Sequence, residues 1–271
     1  MKRIALILAC TAVATALPAG AQTAGQQAAY EALIYTPVAG FAPLPPSLSM
    51  TPSRGTTGIS LQGRIGKFSR EGGLTATSLG IGVEMPVQRW SLTGTVAYLS
   101  VSCGPAWEGA SDCNGDILIG GNARTTLTKR PLGEAPPPAK GTRRPAAPSN
   151  GGTLVVGFDG SLGFSPRAGH QAIALAASLP TGIALESGTV KIMPFLSPGL
   201  GFGRLGSVEF EDDEAPRAYG SIMFMIGGGL GLEFGRSGLG ANVGFQKVLK
   251  SNGGATALGL GMTWHGLSAA R

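Results

Sequence analysis

Beyond Ala21 the chain holds two histidines, His170 and His265, and two cysteines, Cys103 and Cys113. Acyl transfer or hydrolysis needs a nucleophile and a base within hydrogen-bond reach of each other. His170 lies in SPRAGH, a turn between two apolar runs, and His265 ends an alternating run with Ser268 three residues on. Nothing in the chain order brings either beside a nucleophile at the end where acyl chemistry would need it. Two histidines and a paired set of cysteines do not make a metal site. No catalytic residue, no metal site and no cofactor is predicted. Gly201-Phe202-Gly203-Arg204-Leu205-Gly206 has the spacing of a dinucleotide fingerprint. That motif must close a strand and open a helix, and no helical period follows here. Cys103 and Cys113 lie ten positions apart in an exported chain, the usual setting of a disulfide. A bond closing CGPAWEGASDC is expected, with two free loop thiols as the alternative.

The remaining polar candidates are Arg64, Glu84, Asn122, Arg124, Asp159, Glu233, Asn242 and Gln246. All fall on one face of alternating segments, and that alternation is the strongest signal in the chain. From Ser221 to His265, Phe224, Ile226, Leu230, Leu232 and Phe234 alternate with Gly227, Gly229, Gly231 and Glu233. Val243 and Phe245 alternate with Asn242, Gly244 and Gln246, and Leu258, Leu260, Met262 and Trp264 with Gly259, Gly261 and Thr263. A period of two is β-strand. One face is bulky and apolar while the other is small or polar. A soluble barrel buries its bulk inside, whereas strands of roughly ten residues with apolar groups outward suit a barrel in lipid. The polar candidates then face a narrow lumen, where they either neutralise one another and plug it or line a small pore. Trp90, Tyr98, Tyr219 and Trp264 near strand ends read as interfacial aromatics.

Composition agrees. Lys2 and Arg3, an apolar run from Ile4 to Leu17 and the small residues Ala19-Gly20-Ala21 form a signal peptide over residues 1–21. Glycine is abundant (45 residues), charge is sparse (13%) and 43% of residues are hydrophobic, which excludes wholesale disorder. The formal net charge of +6 is carried by the leader and by one segment, Thr128–Asn150. With no basic field over the rest, nucleic acid is not an expected partner.

In order, residues 22–54 are a Pro-rich periplasmic lead-in and residues 55–267 the barrel. Its predicted strands are Ile59–Phe68, Thr75–Met85, Trp90–Val101, Asp116–Leu127, Thr153–Phe164, Gln171–Leu179, Val190–Leu205 and the three of the last third. Residues 128–152 are a disordered, Pro-rich basic linker within the barrel. Pro180 ends the sixth strand, PTGIALESG is a connection, and Pro194 and Pro198 sit awkwardly in the seventh because each removes a ladder donor. The fold expected is all-β, an antiparallel up-and-down transmembrane β-barrel of ten strands, with eight as the alternative.

The leader together with MPFLSPGLGFGRLG, MFMIGGGLGLEF, LGANVGFQKVL and ALGLGMTW resembles small Gram-negative outer-membrane β-barrel proteins, the class around outer membrane proteins A, W and X. The resemblance covers about residues 55–265. It implies location in the outer membrane, lipid as surroundings and the barrel-assembly machinery as a partner during biogenesis. Oligomeric state is left open. Such barrels usually end on an aromatic residue, and here HGLSAAR follows Trp264. The function it implies is non-enzymatic: envelope scaffold, surface-contact protein or narrow passive pore. The alternatives are a lipid-modifying enzyme (an acyl hydrolase or transferase) and a soluble exported barrel binding an apolar ligand.

Overall fold

The computed structural model describes residues 60–70, 75–102, 116–132, 152–167, 170–208, 217–234, 239–249 and 255–265. They form eleven strands: β1 (Ser60–Arg70), β2 (Thr75–Val87), β3 (Trp90–Ser102), β4 (Asp116–Pro131), β5 (Thr153–Arg167), β6 (His170–Ser178), β7 (Thr181–Ser187), β8 (Val190–Val208), β9 (Arg217–Phe234), β10 (Leu239–Leu249) and β11 (Ala255–His265). Every pairing is antiparallel. β1 pairs with both β2 and β11, β4 pairs with β5, and the remaining neighbours complete a ring without a free edge.

Eleven segments make ten staves. β6 and β7 both lie between β5 and β8. Their register to each neighbour is unchanged across Leu179–Pro180, so they are one interrupted strand. The expected ten-strand barrel is therefore present. The reading of PTGIALESG as a connection is corrected: Thr181–Ser187 is the lower half of the sixth stave. The true turn is the two residues between Ser187 and Val190, where Gly188 takes a φ of 61°, a conformation cheap only for glycine. The opening of the linker is corrected too. Thr128–Pro131 belong to β4 and pair with Thr153–Val156 across a bulge at Thr126/Thr128, and the Leu132 N–H donates to the Gly152 carbonyl at 2.7 Å.

The termini of the barrel, Ser60 and His265, lie at one end with the two-residue turns after β2 and β7. We call this the terminal end, and its opposite the loop end. Strand alternation sorts the side chains cleanly. Outward rows are exposed, as in Leu79, Ile81, Val83 and Met85 on β2 and Leu258, Leu260 and Met262 on β11. Inward rows are buried, with Leu118, Met193 and Ala174 at 0% exposure. The core is the barrel interior. Thirty-two large apolar side chains are exposed among the described residues, a continuous belt that a soluble monomer would not carry.

Candidate functional site

The interior is built by the inward rows, and its polar part crosses four adjacent staves. Glu84 on β2, Ser91 on β3 and Arg124 on β4 are each less than a tenth exposed. The register sets Ser91 opposite Arg124 and Glu84 two residues off that level, opposite Thr93. The Ser91 hydroxyl donates to Glu84 Oε1, and Arg124 Nη2 lies 3.3 Å from the same oxygen. On the far side of Arg124, Asp159 of β5 is its register partner, and Asn122 Nδ2 donates to Asp159 Oδ2 at 3.3 Å. A buried carboxylate is thus matched by a guanidinium and a hydroxyl, as burial of charge requires. Thr93 Oγ1, Asn122 Oδ1 and Arg124 Nε have no hydrogen-bond partner among the described residues.

The other polar candidates stand apart from this cluster. On β10, Gln246 Nε2 lies 2.8 Å from the Met225 sulfur. Asn242 is also buried, and its amide oxygen lies over Gly261 of β11, where any Cβ would collide with it. Glu233 is at the terminal end of β9, level with Lys191 in register, and its Oε2 is buried without a hydrogen-bond partner among the described residues. Lys191 itself is 3.6 Å from Glu186 in a solvent-exposed pair, worth little energetically. Arg64 is level with Gly80 and Gly261 in register; its side chain lies outside the described residues. The structure therefore joins Glu84, Asn122, Arg124 and Asp159 on one wall and leaves Glu233, Asn242 and Gln246 on another.

The interior also holds bulk that the alternation did not foretell. A lumen lined mainly by glycine and polar groups is corrected: Leu118, Val155, Met193, Phe195, Met223, Met225 and Val248 all point inward and are buried. A ten-strand ring is too wide for glycine rows to fill, and flexible methionines suit an irregular gap. Val155, Ala184 and Met193 form a contiguous apolar cluster behind β5, β7 and β8. Ser91, Thr93 and Thr95 were also missed as buried inward hydroxyls, although their alternation with Leu92 and Val96 marks them.

Trp90 opens β3 at the terminal end, with its ring edge-on to Phe158 at 6.2 Å and the Arg89 guanidinium 5.9 Å from its centroid. Tyr98 and Trp264 are outward and exposed. Tyr219 pairs with Leu205 toward the loop end; its side chain lies outside the described residues, as do Cys103, Cys113 and Ser268. His170 and His265 sit at opposite ends of the barrel, at the start of β6 and the end of β11. Gly201 and Gly203 lie within β8, not before a helix. Among the described residues no group of three His, Cys, Asp or Glu side chains is placed to hold a metal ion.

No protein-family model and no curated protein sequence matches the chain. Solved structures of similar shape include the outer membrane enzyme PagL, at 12% identity and TM-score 0.34 over 76% of this chain and 98% of that one. The β domain of the Bordetella autotransporter Brka is similar at 11% identity and TM-score 0.41, over 78% of this chain and 100% of its own. Ail, the attachment invasion locus protein of Yersinia pestis, is similar at 11% identity and TM-score 0.29, over 77% and 97%. Likeness this distant carries no activity across.

Proposed function

We propose that the chain is an integral outer-membrane β-barrel without enzymatic activity, serving as an envelope scaffold or surface-contact protein. The observation that carries this reading is the exposed apolar belt on a closed ring. On β2 it runs from Leu79 to Val87, roughly 27 Å along the strand at about 3.4 Å per residue. At the usual barrel tilt that is roughly 20 Å of height, close to the ~25 Å apolar band of outer-membrane barrels. Ring closure supports it further, because an open sheet edge in lipid would leave backbone groups unpaired. The leader supports export, and the two-residue turns after β2 and β7 support a periplasmic terminal end, although the long β4–β5 connection lies at that end too. Buried Leu118, Met193, Met223 and Val248 support a filled interior over an open channel. A narrow passive pore is the second reading, favoured by the buried polar atoms of Thr93, Asn122, Arg124, Glu233 and Asn242 that water would satisfy.

Expression with the leader, followed by extraction of membranes at alkaline pH, tests the first part: the chain should stay in the pellet. Release into the soluble fraction would refute it. Planar-bilayer recording of the refolded chain separates the two readings, since a filled scaffold gives no steady conductance.

A further inference from the structure

Three prolines, Pro180, Pro194 and Pro198, withhold ladder donors along the sixth stave. In an antiparallel ladder the N–H and C=O of one residue point to the same neighbour, and opposite residues exchange two bonds. The Leu179 N–H donates to the Pro198 carbonyl at 2.9 Å. The return bond, from position 198 to the Leu179 carbonyl, has no hydrogen to make it. The Gly157 N–H donates to the Pro180 carbonyl at 2.8 Å, and here too the return bond is missing. Pro194 lies four residues before Pro198 on β8, so it faces the same stave. The register sets it opposite Ile183, where the pairing of β7 with β8 is interrupted between Gly182 and Leu185. The carbonyls of Gly157, Leu179 and Ile183 therefore lose their ladder donors within a few residues of one another, and that of Leu179 accepts instead from the Thr181 hydroxyl at 3.3 Å, a weaker tie that does not cross to β8.

Two further features meet at this place. Pro194, Leu196 and Pro198 are exposed on the outer surface near the middle of the apolar row of β8. In a bilayer, water cannot replace a missing donor from outside there. Directly behind the seam, on the inner face, lies the apolar cluster of Val155, Ala184 and Met193, with Phe195 beside it. We propose that the stave β6–β7 opens locally against β8 and that the gap admits an apolar, chain-like molecule from the bilayer to the interior cluster. Local opening follows the weakest hydrogen-bonded unit, and Met193 can move aside at little cost. The proposal rests on the reading of the belt as lipid-facing.

The test places a cysteine at Ala184 in a Cys103→Ser, Cys113→Ser background. Ala184 is an interior position of small volume change. The refolded protein, in phosphatidylcholine vesicles, is exposed to N-dodecylmaleimide dissolved in the lipid, or to a charged, water-soluble methanethiosulfonate. The expected result is faster labelling by the lipid-borne reagent. In Pro194→Val, Pro198→Val, whose side chains stay on the outer surface, two donors return. Each should suppress opening by roughly two- to tenfold, so lipid-borne labelling should slow by about four- to hundredfold. Hydrogen exchange of the Leu179 and Thr181 amides should slow in parallel. Equal labelling rates with and without the two substitutions would overturn the proposal, as would labelling from the aqueous side alone. Alkaline extraction of the same vesicles separates the failures: if the chain washes off, the membrane reading itself has failed.

Discussion

Arg124→Met should expose how much the interior cluster contributes. Arg124 is 5% exposed and Glu84 8%, so the substitution takes a buried guanidinium away from a buried carboxylate. Breaking a buried pair from one side typically costs about 3–5 kcal/mol. The Ser91 hydroxyl remains on Glu84 Oε1, and a retained hydrogen bond to a charge offsets part of that loss. We expect destabilisation of about 2–4 kcal/mol. Glu84→Gln alone should cost less, because the stranded guanidinium still has Asp159 opposite in register. The double variant removes both members of the pair and should cost clearly less than the sum of the two singles, the remainder being the loss of the guanidinium opposite Asp159. The assay is equilibrium urea unfolding in vesicles, followed by tryptophan fluorescence, for the four members of the cycle. A coupling energy near zero, with the double variant costing the sum of the singles, would refute the argument that the two groups act as a pair.

Leu260→Arg, on an outward row where Leu260 is 58% exposed, should lower barrel stability in vesicles by about 2–4 kcal/mol if that row lies at mid-bilayer. The same substitution should be nearly neutral in an aqueous barrel. Gly229→Ala should be destabilising by about 1–3 kcal/mol, because a Cβ there meets the Val243 carbonyl oxygen and the Gly244 Cα of the next strand. Gly94→Ala has nothing within 4 Å of the added carbon and should be neutral or stabilising by up to about 1 kcal/mol; unfolding curves of the two, measured side by side, check the contrast.

The period of two carried most of the fold. On β2, β3, β10 and β11 the residues expected outward and inward occupy those faces, because each side chain's direction is set by its neighbour in the chain. Other features depend on partners far away. Thr128–Pro131 have no apolar rhythm, yet β5 supplies Thr153–Val156 as a ladder partner, and the strand continues past its hydrophobic stretch. The buried methionines follow from the circumference of the ring, which no local window reports. Likewise the Glu84–Arg124 pair joins β2 to β4 across Ser91 of β3. Sequence placed Glu84 and Arg124 on the inner face and passed over Ser91, and only the relative stagger of three strands decides which residues meet.

The prolines show why a local rule can mislead even when its physics is right. Pro180 does remove a ladder donor, and it does interrupt the strand. It fails to end it because Ile183 and Leu185 resume the outward row and Gly182 and Ala184 the inward row on the other side, and both flanking staves continue unbroken past the gap. A strand held on two sides needs only enough remaining bonds to keep register, and Leu179 to Pro198 and Gly157 to Pro180 still hold one each. The same reasoning turns the two prolines of β8 from an awkwardness into a coherent feature. Lying four residues apart, they withhold their donors from the same neighbour, and that neighbour is the stave that breaks. Had they been three or five apart, the missing bonds would have been shared between β7 and β9, and neither seam would carry the whole deficit.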